Sequence, residues 1–261
     1  MHWALWTSEG VVAATTVGVA IYVAGSYLFT FAHVPRRAFG ETLGAVLREG
    51  LLALFITALL PLYVALGRKQ GVGKQPIVLV HGYTQNRVNF IYLARALRRR
   101  GFGPVYGFNY FSYGDIRKNG ERLARFVDRV RRETGAASVD LVCHSMGGLV
   151  ARHCIRLDPS RVRKCVTIAS PHTGVRWAGP VIGPGGRQLR AGTPFLEELA
   201  AVPLAVPTLS IYSRHDNVAC PGERISSLQR WGGDDFAVDH LGHLSILFDA
   251  RVADAVAGFL G

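Results

Sequence analysis

The sequence predicts an α/β protein in which a mainly parallel sheet is flanked by helices and preceded by an apolar N-terminal region. From residue 76 onward, short apolar runs typical of buried strands alternate with amphipathic segments of helical period. Upstream, two long runs carry no formal charge. A chain of 261 residues can hold one sizeable domain and a smaller unit.

The apolar N-terminal region contains two candidate membrane helices. No residue from Gly10 to Pro35 carries a formal charge, and residues 11–32 would span roughly 33 Å as a helix. A second uncharged run, residues 50–67, would span about 27 Å. We therefore predict an anchor, residues 1–73, with a two-helix membrane hairpin. Alternatively, the second run is an interfacial or buried helix that packs on the rest of the chain.

Charge and cysteine content indicate the surroundings of the protein. The formal net charge of +12 is compatible with an anionic lipid surface or with scattered, solvated arginines. No nucleic-acid motif accompanies it, so no nucleic-acid partner is expected. The four cysteines show neither a C-x-x-C pair nor metal-ligand spacing, which favours buried free thiols.

Membrane orientation is nearly undetermined by the sequence. Basic residues are almost equally numerous on the two sides of the predicted hairpin. We expect a bacterial inner-membrane location and lean towards a cytoplasmic position for residues 74–261, which unpaired thiols also allow. The sequence does not indicate an oligomeric state.

The elements of residues 74–261 follow a regular alternation after a linker predicted at Gly71–Lys74. Period-2 and apolar runs predict strands, and i, i+3, i+4, i+7 spacing predicts helices. The predicted strands are 76–80, 105–110, 139–143, 162–169 and 208–212; the predicted helices run from about 90 to 100, from about 123 to 134, from 146 to 157 and from 246 to 260.

The third predicted strand leads into Cys143-His144-Ser145-Met146-Gly147. A serine between small residues, after a strand and before a helix, is typical of a nucleophile elbow. Gly147 satisfies the requirement for a small residue two positions after the serine. Cys143 stands where glycine is usual, so the motif is a C-x-S-x-G variant.

A serine nucleophile needs a base and an acid that orients the base. In a parallel sheet these groups come from loops at the carboxyl ends of strands, in the order serine, acid, histidine. Asp216 directly follows a predicted strand, whereas no apolar strand precedes the rivals Asp234, Asp235 and Asp239. We predict Asp216 as the acid. We predict His243 as the base, because a helix start after it would fix its backbone, with His240 as its rival.

The loop after the first strand of this region, which begins His81-Gly82-Tyr83, is a candidate oxyanion hole. Gly82 would allow close approach, so the predicted backbone donors are Tyr83 and Met146. The candidate substrate-contacting residues are His81, Gly82, His144 and His172, the alternative for the histidines being structural hydrogen bonding. No metal site is expected.

Several motifs occur in the order found in one enzyme family: His81-Gly82-Tyr83, the Ser145 elbow, Ser170–Gly174, Leu189–Leu196, Ser213–Val218 and Gly242-His243-Leu244. In these motifs the chain resembles the bacterial triacylglycerol lipase/esterase family of the α/β-hydrolases over about residues 74–261. The resemblance implies an α/β-hydrolase fold and ester hydrolysis through an acyl-enzyme without cofactor. It makes Ser145, Asp216 and His243 the triad, and Tyr83 and Met146 the oxyanion donors.

Residues 172–206 form a long insertion between two predicted strands. Long segments at such a position commonly cover an active site. We predict a small lid or acyl-pocket wall with a glycine hinge at Gly183-Pro184-Gly185-Gly186; the alternative is an ordered crossover helix with a surface loop.

Together these features predict a membrane-anchored serine hydrolase acting on lipid or acyl esters. The same triad could instead serve an acyltransferase or a thioesterase. A catalytically silent, membrane-anchored binding protein with this fold is the alternative from another class.

Overall fold

Within the described part of the chain, the sheet has seven strands in the order β1-β3-β2-β4-β5-β6-β7. The computed structural model describes residues 17–28, 30, 39–59, 69–176 and 181–261. The strands are β1 Gln70–Gln75, β2 Ile77–Val80, β3 Gly103–Phe108, β4 Val139–His144, β5 Val162–Ile168, β6 Thr208–Ser213 and β7 Asp234–Val238. β1 pairs antiparallel with β3, and the other pairings are parallel. The predicted mainly parallel sheet is confirmed.

Helices cover both faces of this sheet. They are α1, within residues 17–28, α2 Phe39–Ala58, α3 Ile91–Arg99, α4 Ile116–Thr134, α5 Met146–Leu157, α6 Gly183–Gln188, α7 Pro194–Ala200, α8 Gly222–Ile225 and α9 Ala250–Leu260. One core contains side chains of α3 and α9 together with Ala53 of α2. The opposite core contains side chains of α4 and α5. Burial of the sheet on both faces explains why its central strands are almost entirely apolar.

Two strands differ from the sequence prediction. Residues 71–74, predicted as a linker, lie in the edge strand β1, and a strand that was not predicted, β7, begins at Asp234. Both are edge strands with largely exposed residues, so they lack the apolar run that marks the central strands. The terminal helix was predicted from 246, but a 3₁₀ turn, Ser245–Phe248, precedes α9.

The second N-terminal helix begins earlier than predicted. α2 runs through Phe39–Ala58, so the polar segment before residue 50 is helical and not a connection between two helices. Among the described residues, no helix is both long enough and apolar enough to cross a bilayer, and the predicted membrane hairpin has no support there. Parts of both predicted spans, including residues 11–16 and 60–67, lie outside the described residues.

Each of the four cysteines is buried and free. Cys143 and Cys165 lie on neighbouring strands, β4 and β5, and Cys154 lies on α5. The prediction of buried free thiols is confirmed.

Candidate active site

Ser145 occupies a sharp turn between β4 and α5. Its backbone has φ 53° and ψ −127°, a region that non-glycine residues rarely adopt, and its N–H donates to the Ile168 carbonyl at 2.9 Å. A Cβ atom on Gly147 would overlap the Val80 carbonyl oxygen and lie 2.7 Å from that of His81. The turn therefore requires glycine two residues after the serine, as the elbow motif predicts.

Loops at the carboxyl ends of β6 and β7 bring two further side chains to Ser145. The Nε2 atom of His243 lies 2.9 Å from the Ser145 Oγ. The Nδ1 atom of the same ring lies 2.9 Å from Oδ2 and 3.1 Å from Oδ1 of Asp216. A carboxylate only accepts, so Nδ1 carries the proton and Nε2 is free to accept from the serine hydroxyl. The structure thus brings together the three residues predicted as the triad.

The electrostatics of this pair favour a charged imidazole opposite a charged carboxylate. Burial alone would raise the pKa of Asp216, but His243 and the N–H groups of Val218 and Ala219 outweigh burial, and the net pKa lies below its usual range. Burial lowers the pKa of His243, yet the charge and hydrogen bond of Asp216 and the charge of Glu49 raise it overall. The site therefore stabilises a proton taken up by His243.

The loop after β2 lies directly against the serine. A Cβ atom on Gly82 would lie 2.7 Å from the Ser145 Cβ and 3.2 Å from its Oγ. The Gly82 N–H donates to Gln85 Oε1 at 2.9 Å, which fixes the loop. Tyr83 follows Gly82 in this loop and Met146 starts α5, so the two predicted oxyanion donors belong to the elements that adjoin Ser145. Their role as donors stays a prediction.

The three histidines predicted to contact substrate are buried. His81 stacks on Tyr110 with ring centroids 4.3 Å apart, and burial lowers its pKa to about 4. His172 Nε2 lies 3.1 Å from Thr167 Oγ1, beneath Trp231. These contacts of His81 and His172 fit the structural role that was the alternative prediction for the histidines. The geometry gives no support to a substrate contact by either ring.

His144 lies behind the ring of His243. Its Nδ1 is 2.8 Å from Gln85 Oε1, and its Nε2 is 2.8 Å from the carbonyl oxygen of His243. Burial and the neighbouring His243 lower the pKa of His144 to about 3. The ring thus connects the loop after β2 to the loop that carries His243 (the base loop). The geometry does not support the predicted substrate contact for this residue either. Of the four candidates, Gly82 alone faces Ser145.

The rival residues have other partners. His240 is exposed and its ring lies 4.7 Å from that of His215. Asp239 pairs with Arg214, and Asp235 accepts from the Leu228 N–H. A largely exposed strand that was not predicted, β7, does precede Asp239, but Asp234 and Asp235 begin that strand and so lie at its amino end. None of the contacts described for these carboxylates reaches the Ser145 hydroxyl or the ring of His243.

The insertion forms a wall beside the site. The Tyr83 hydroxyl donates to the Ile182 carbonyl and accepts from the Ile182 N–H, each at 2.8 Å. Gly185 packs against backbone carbonyls of residues 112 and 114 and lies near the Met146 sulfur. The glycine-rich run predicted as a hinge is therefore the helix α6, whose glycines serve close packing. Its position fits the pocket wall of the prediction.

Three residues that the sequence did not single out complete the surroundings. Gln85 joins Gly82 to His144, as described above. Asn217 Oδ1 accepts from the His243 N–H at 2.8 Å. Glu49, from α2, accepts hydrogen bonds from the base loop. Asn217 could have been suspected as the neighbour of Asp216; the other two have no local signal. In the described part of the chain, no cluster of three His, Cys, Asp or Glu side chains could hold a metal ion.

Comparisons with known proteins agree with the fold described above. The model of the alpha/beta hydrolase fold family matches residues 75–181. A triacylglycerol lipase from Pseudarthrobacter phenanthrenivorans is 33% identical over 113 residues, which are 40% of this chain and 35% of the lipase. The lysosomal thioesterase PPT2-B of Xenopus laevis is 28% identical over 122 residues, covering 44% of this chain and 42% of that protein. The matches thus span less than half the length of these curated relatives.

Solved structures show the same fold. The crystal structure of Aspergillus fumigatus lipase B has a TM-score of 0.61 at 18% identity and covers 75% of this chain and 52% of its own. At this identity the likeness concerns the fold alone. The protein therefore has the α/β-hydrolase fold, and its resemblance to the lipases and esterases of that fold, which the sequence motifs indicate, is confirmed.

Proposed function

We propose that the protein is a serine hydrolase that cleaves carboxylic esters of lipids or other acyl compounds. The observation that carries the proposal is the continuous chain from the Ser145 hydroxyl through His243 to Asp216, with 2.9 Å at each of its two links. The relatedness to a triacylglycerol lipase supports esters as the substrate class.

In the proposed mechanism, His243 accepts the hydroxyl proton as the Ser145 Oγ attacks the ester carbonyl carbon. The N–H groups of Tyr83 and Met146 stabilise the negative charge on the carbonyl oxygen. Protonated His243, stabilised by Asp216, then donates its proton to the leaving alcohol as the C–O bond breaks. Water, deprotonated by His243, attacks the acyl-enzyme and releases the carboxylic acid.

A fluorophosphonate probe and a p-nitrophenyl ester test this assignment. Ser145→Ala should abolish labelling and reduce hydrolysis by about 10³-fold or more, because the nucleophile is lost. His243→Ala should reduce hydrolysis far more than His240→Ala, the matched control on the same loop. Undiminished labelling of the Ser145→Ala variant would refute the nucleophile assignment, and an inactive wild-type protein would favour the silent binding protein.

A thioesterase is the second candidate, since the triad attacks thioesters by the same steps and one relative is a thioesterase. A matched pair of oxygen and thiol esters with the same acyl chain separates the two. A kcat/KM higher for the thiol ester by more than its greater intrinsic reactivity would favour the thioesterase.

We further propose that α1 and α2 associate with a membrane surface. Leu43, Leu47, Leu51 and Phe55 recur every fourth residue on α2 and are exposed, the residue Leu51 to 68%. The formal charge of +12 suits anionic lipid. The side of the membrane on which the catalytic residues lie stays a prediction.

Vesicles containing anionic lipid test this association. The wild-type protein should sediment with them, and the double variant Leu47→Glu/Leu51→Glu should sediment much less, because two charges would enter the apolar boundary. Exchange of Arg122 for glutamate, away from α2, is the control. Unchanged sedimentation of the double variant would contradict the proposal. Self-association of the wild-type protein through this face in the absence of lipid would also contradict the proposal.

A further inference from the structure

Glu49 is a carboxylate buried outside the chain of groups that performs the proposed chemistry. It lies near the middle of α2, and its side chain is 0% exposed. Burial of an ionised carboxylate is strongly unfavourable unless hydrogen bonds or charges compensate. The compensating groups therefore indicate what this residue does.

The compensating groups belong to the loop that carries His243. The Leu244 N–H donates to Glu49 Oε1 at 2.5 Å, and the Ser245 N–H donates to Oε2 at 2.9 Å. A Cβ atom on Gly242 would lie 2.5 Å from the same Oε2. The base loop therefore contacts the Glu49 carboxylate both before His243, at Gly242, and after it, at Leu244 and Ser245.

Each donor uses a different oxygen, so the contact needs two acceptors. An ionised carboxylate offers both, whereas a glutamine side chain offers one carbonyl oxygen and presents an amide N–H₂ to the other donor. The site is thus shaped for glutamate and distinguishes it from its closest isostere. A generic helix-packing contact would not make this distinction.

The loop that carries Asp216 is held from the same side. The Asn217 side-chain amide donates to Ser26 Oγ at 2.6 Å. The Thr30 hydroxyl donates to the Ser26 carbonyl at 2.9 Å and lies 3.3 Å from the Asn217 carbonyl oxygen. The Oδ1 atom of Asn217 also accepts from the His243 N–H. The N-terminal segments thus contact both the acid loop and the base loop.

We propose that Glu49 is a positioning residue for His243: its carboxylate holds the backbone after the base and its negative charge faces the imidazolium. The inference rests on the proposed function, since it assigns Glu49 a part in the same reaction. A histidine whose loop is held by further hydrogen bonds keeps the geometry that proton transfer needs. A displacement of such a catalytic group by about 1 Å can reduce the rate about 100-fold.

The charged and titratable groups around His243 determine the sign of the electrostatic effect. Asp216 faces the ring from the acid loop, Glu49 from α2 and His144 from the end of β4. Tyr22 and Tyr27 are the groups that α1 places near Glu49. Of these, the ionised forms of Asp216 and Glu49 favour protonated His243. Burial raises the pKa of Glu49 above its usual value, against the lowering effect of the Leu244 and Ser245 N–H groups and of His243. Loss of the Glu49 charge should therefore make His243 easier to deprotonate.

The test is Glu49→Gln in the full chain, with Arg48→Gln as the matched control on the same helix. Arg48 is exposed, and its replacement also changes the net charge by one unit, with the opposite sign. Glu49→Gln should lower kcat by about 10- to 100-fold with little change in KM. The acid limb of its kcat/KM profile should move to lower pH, which a purely structural role would not cause. Arg48→Gln should match the wild type.

Gly242→Ala approaches the same contact from the loop and covers the case in which Glu49→Gln does not fold. Its Cβ would displace the carboxylate, so kcat should fall similarly. The double variant should lose no more than the worse single variant, because both changes remove one contact. A wild-type kcat in either single variant, or a lowered kcat with an unmoved acid limb in Glu49→Gln, overturns the inference. The Ser145→Ala result is independent of these outcomes and tests the proposed function by itself.

Discussion

The elbow turn can be tested by adding a single methyl group at Gly147. The new Cβ of Gly147→Ala would overlap the Val80 carbonyl oxygen and lie 2.7 Å from that of His81, where ordinary van der Waals contact begins at 3.4 Å. To restore ordinary contact, the His81 oxygen would have to move by 0.7 Å, from 2.7 to 3.4 Å, and the Val80 oxygen by more. Neither carbonyl moves easily, because Val80 ends a strand that is paired on both sides, with β3 and β4.

Either α5 or the loop after β2 must therefore shift, and both reach Ser145. Overpacking of this kind destabilises a protein by about 1–3 kcal/mol. A shift approaching 1 Å between the nucleophile and the oxyanion loop should reduce kcat by about 100-fold. The loss of activity should thus exceed what the loss of folded protein explains.

The assay compares kcat for a soluble ester with the thermal midpoint of unfolding. Gly258→Ala is the matched control, because it makes the same chemical change inside α9 where no other atom lies within 4 Å of the new Cβ. The control should keep full activity and gain about 0.5–1 kcal/mol from the better helix propensity of alanine. If Gly147→Ala kept the wild-type kcat, the turn would not be as tight as described.

Two further predictions concern residues on either side of the serine hydroxyl. Cys143→Gly should keep most activity, whereas Cys143→Leu should lower both activity and the thermal midpoint, because the Cys143 side chain is fully buried at the end of β4. Leucine without effect would contradict a tight elbow. Asp216→Asn should lower kcat by about 10³- to 10⁴-fold near neutral pH. It should also move the acid limb of the kcat/KM profile to lower pH, since Asp216 raises the pKa of His243; a limb that moves to higher pH would refute that assignment.

The central elements were predictable because their signals are local. β2, β4 and α5 lie in the interior, so their residues are apolar in nearly continuous runs, and the bounds of α5 were predicted to the residue. β1 and β7 were missed because an edge strand buries little and its pairing depends on neighbours distant in sequence. Their existence is decided by tertiary pairing and not by local pattern.

The same distinction separates the predicted site residues from those that were missed. Each of the three predicted triad residues lies in a loop next to an apolar strand or helix: Ser145 after β4, Asp216 after β6 and His243 before the apolar C-terminal segment. Their positions along the chain were therefore enough to single them out. Gln85 and Glu49 act on partners 59 and 195 residues away, respectively. No spacing in the sequence encodes such a contact. A lone glutamate ahead of an apolar run looks the same whether it faces solvent or a catalytic loop.

The contacts of Glu49 also show that the N-terminal segment is not structurally separate from the rest of the chain. The sequence divides the chain at residue 73 into an anchor and a catalytic domain, because the character of the pattern changes there. Ala53 of α2 packs in the core shared with α3 and α9, and Glu49 binds the base loop. A segment whose only task was tethering would need neither contact. The inner face of α2 therefore packs with the part of the chain that carries the predicted triad, and the proposed membrane association concerns only its exposed leucine face. Because one helix bears both faces, a tilt of α2 under the proposed membrane association would act on the loop that carries His243.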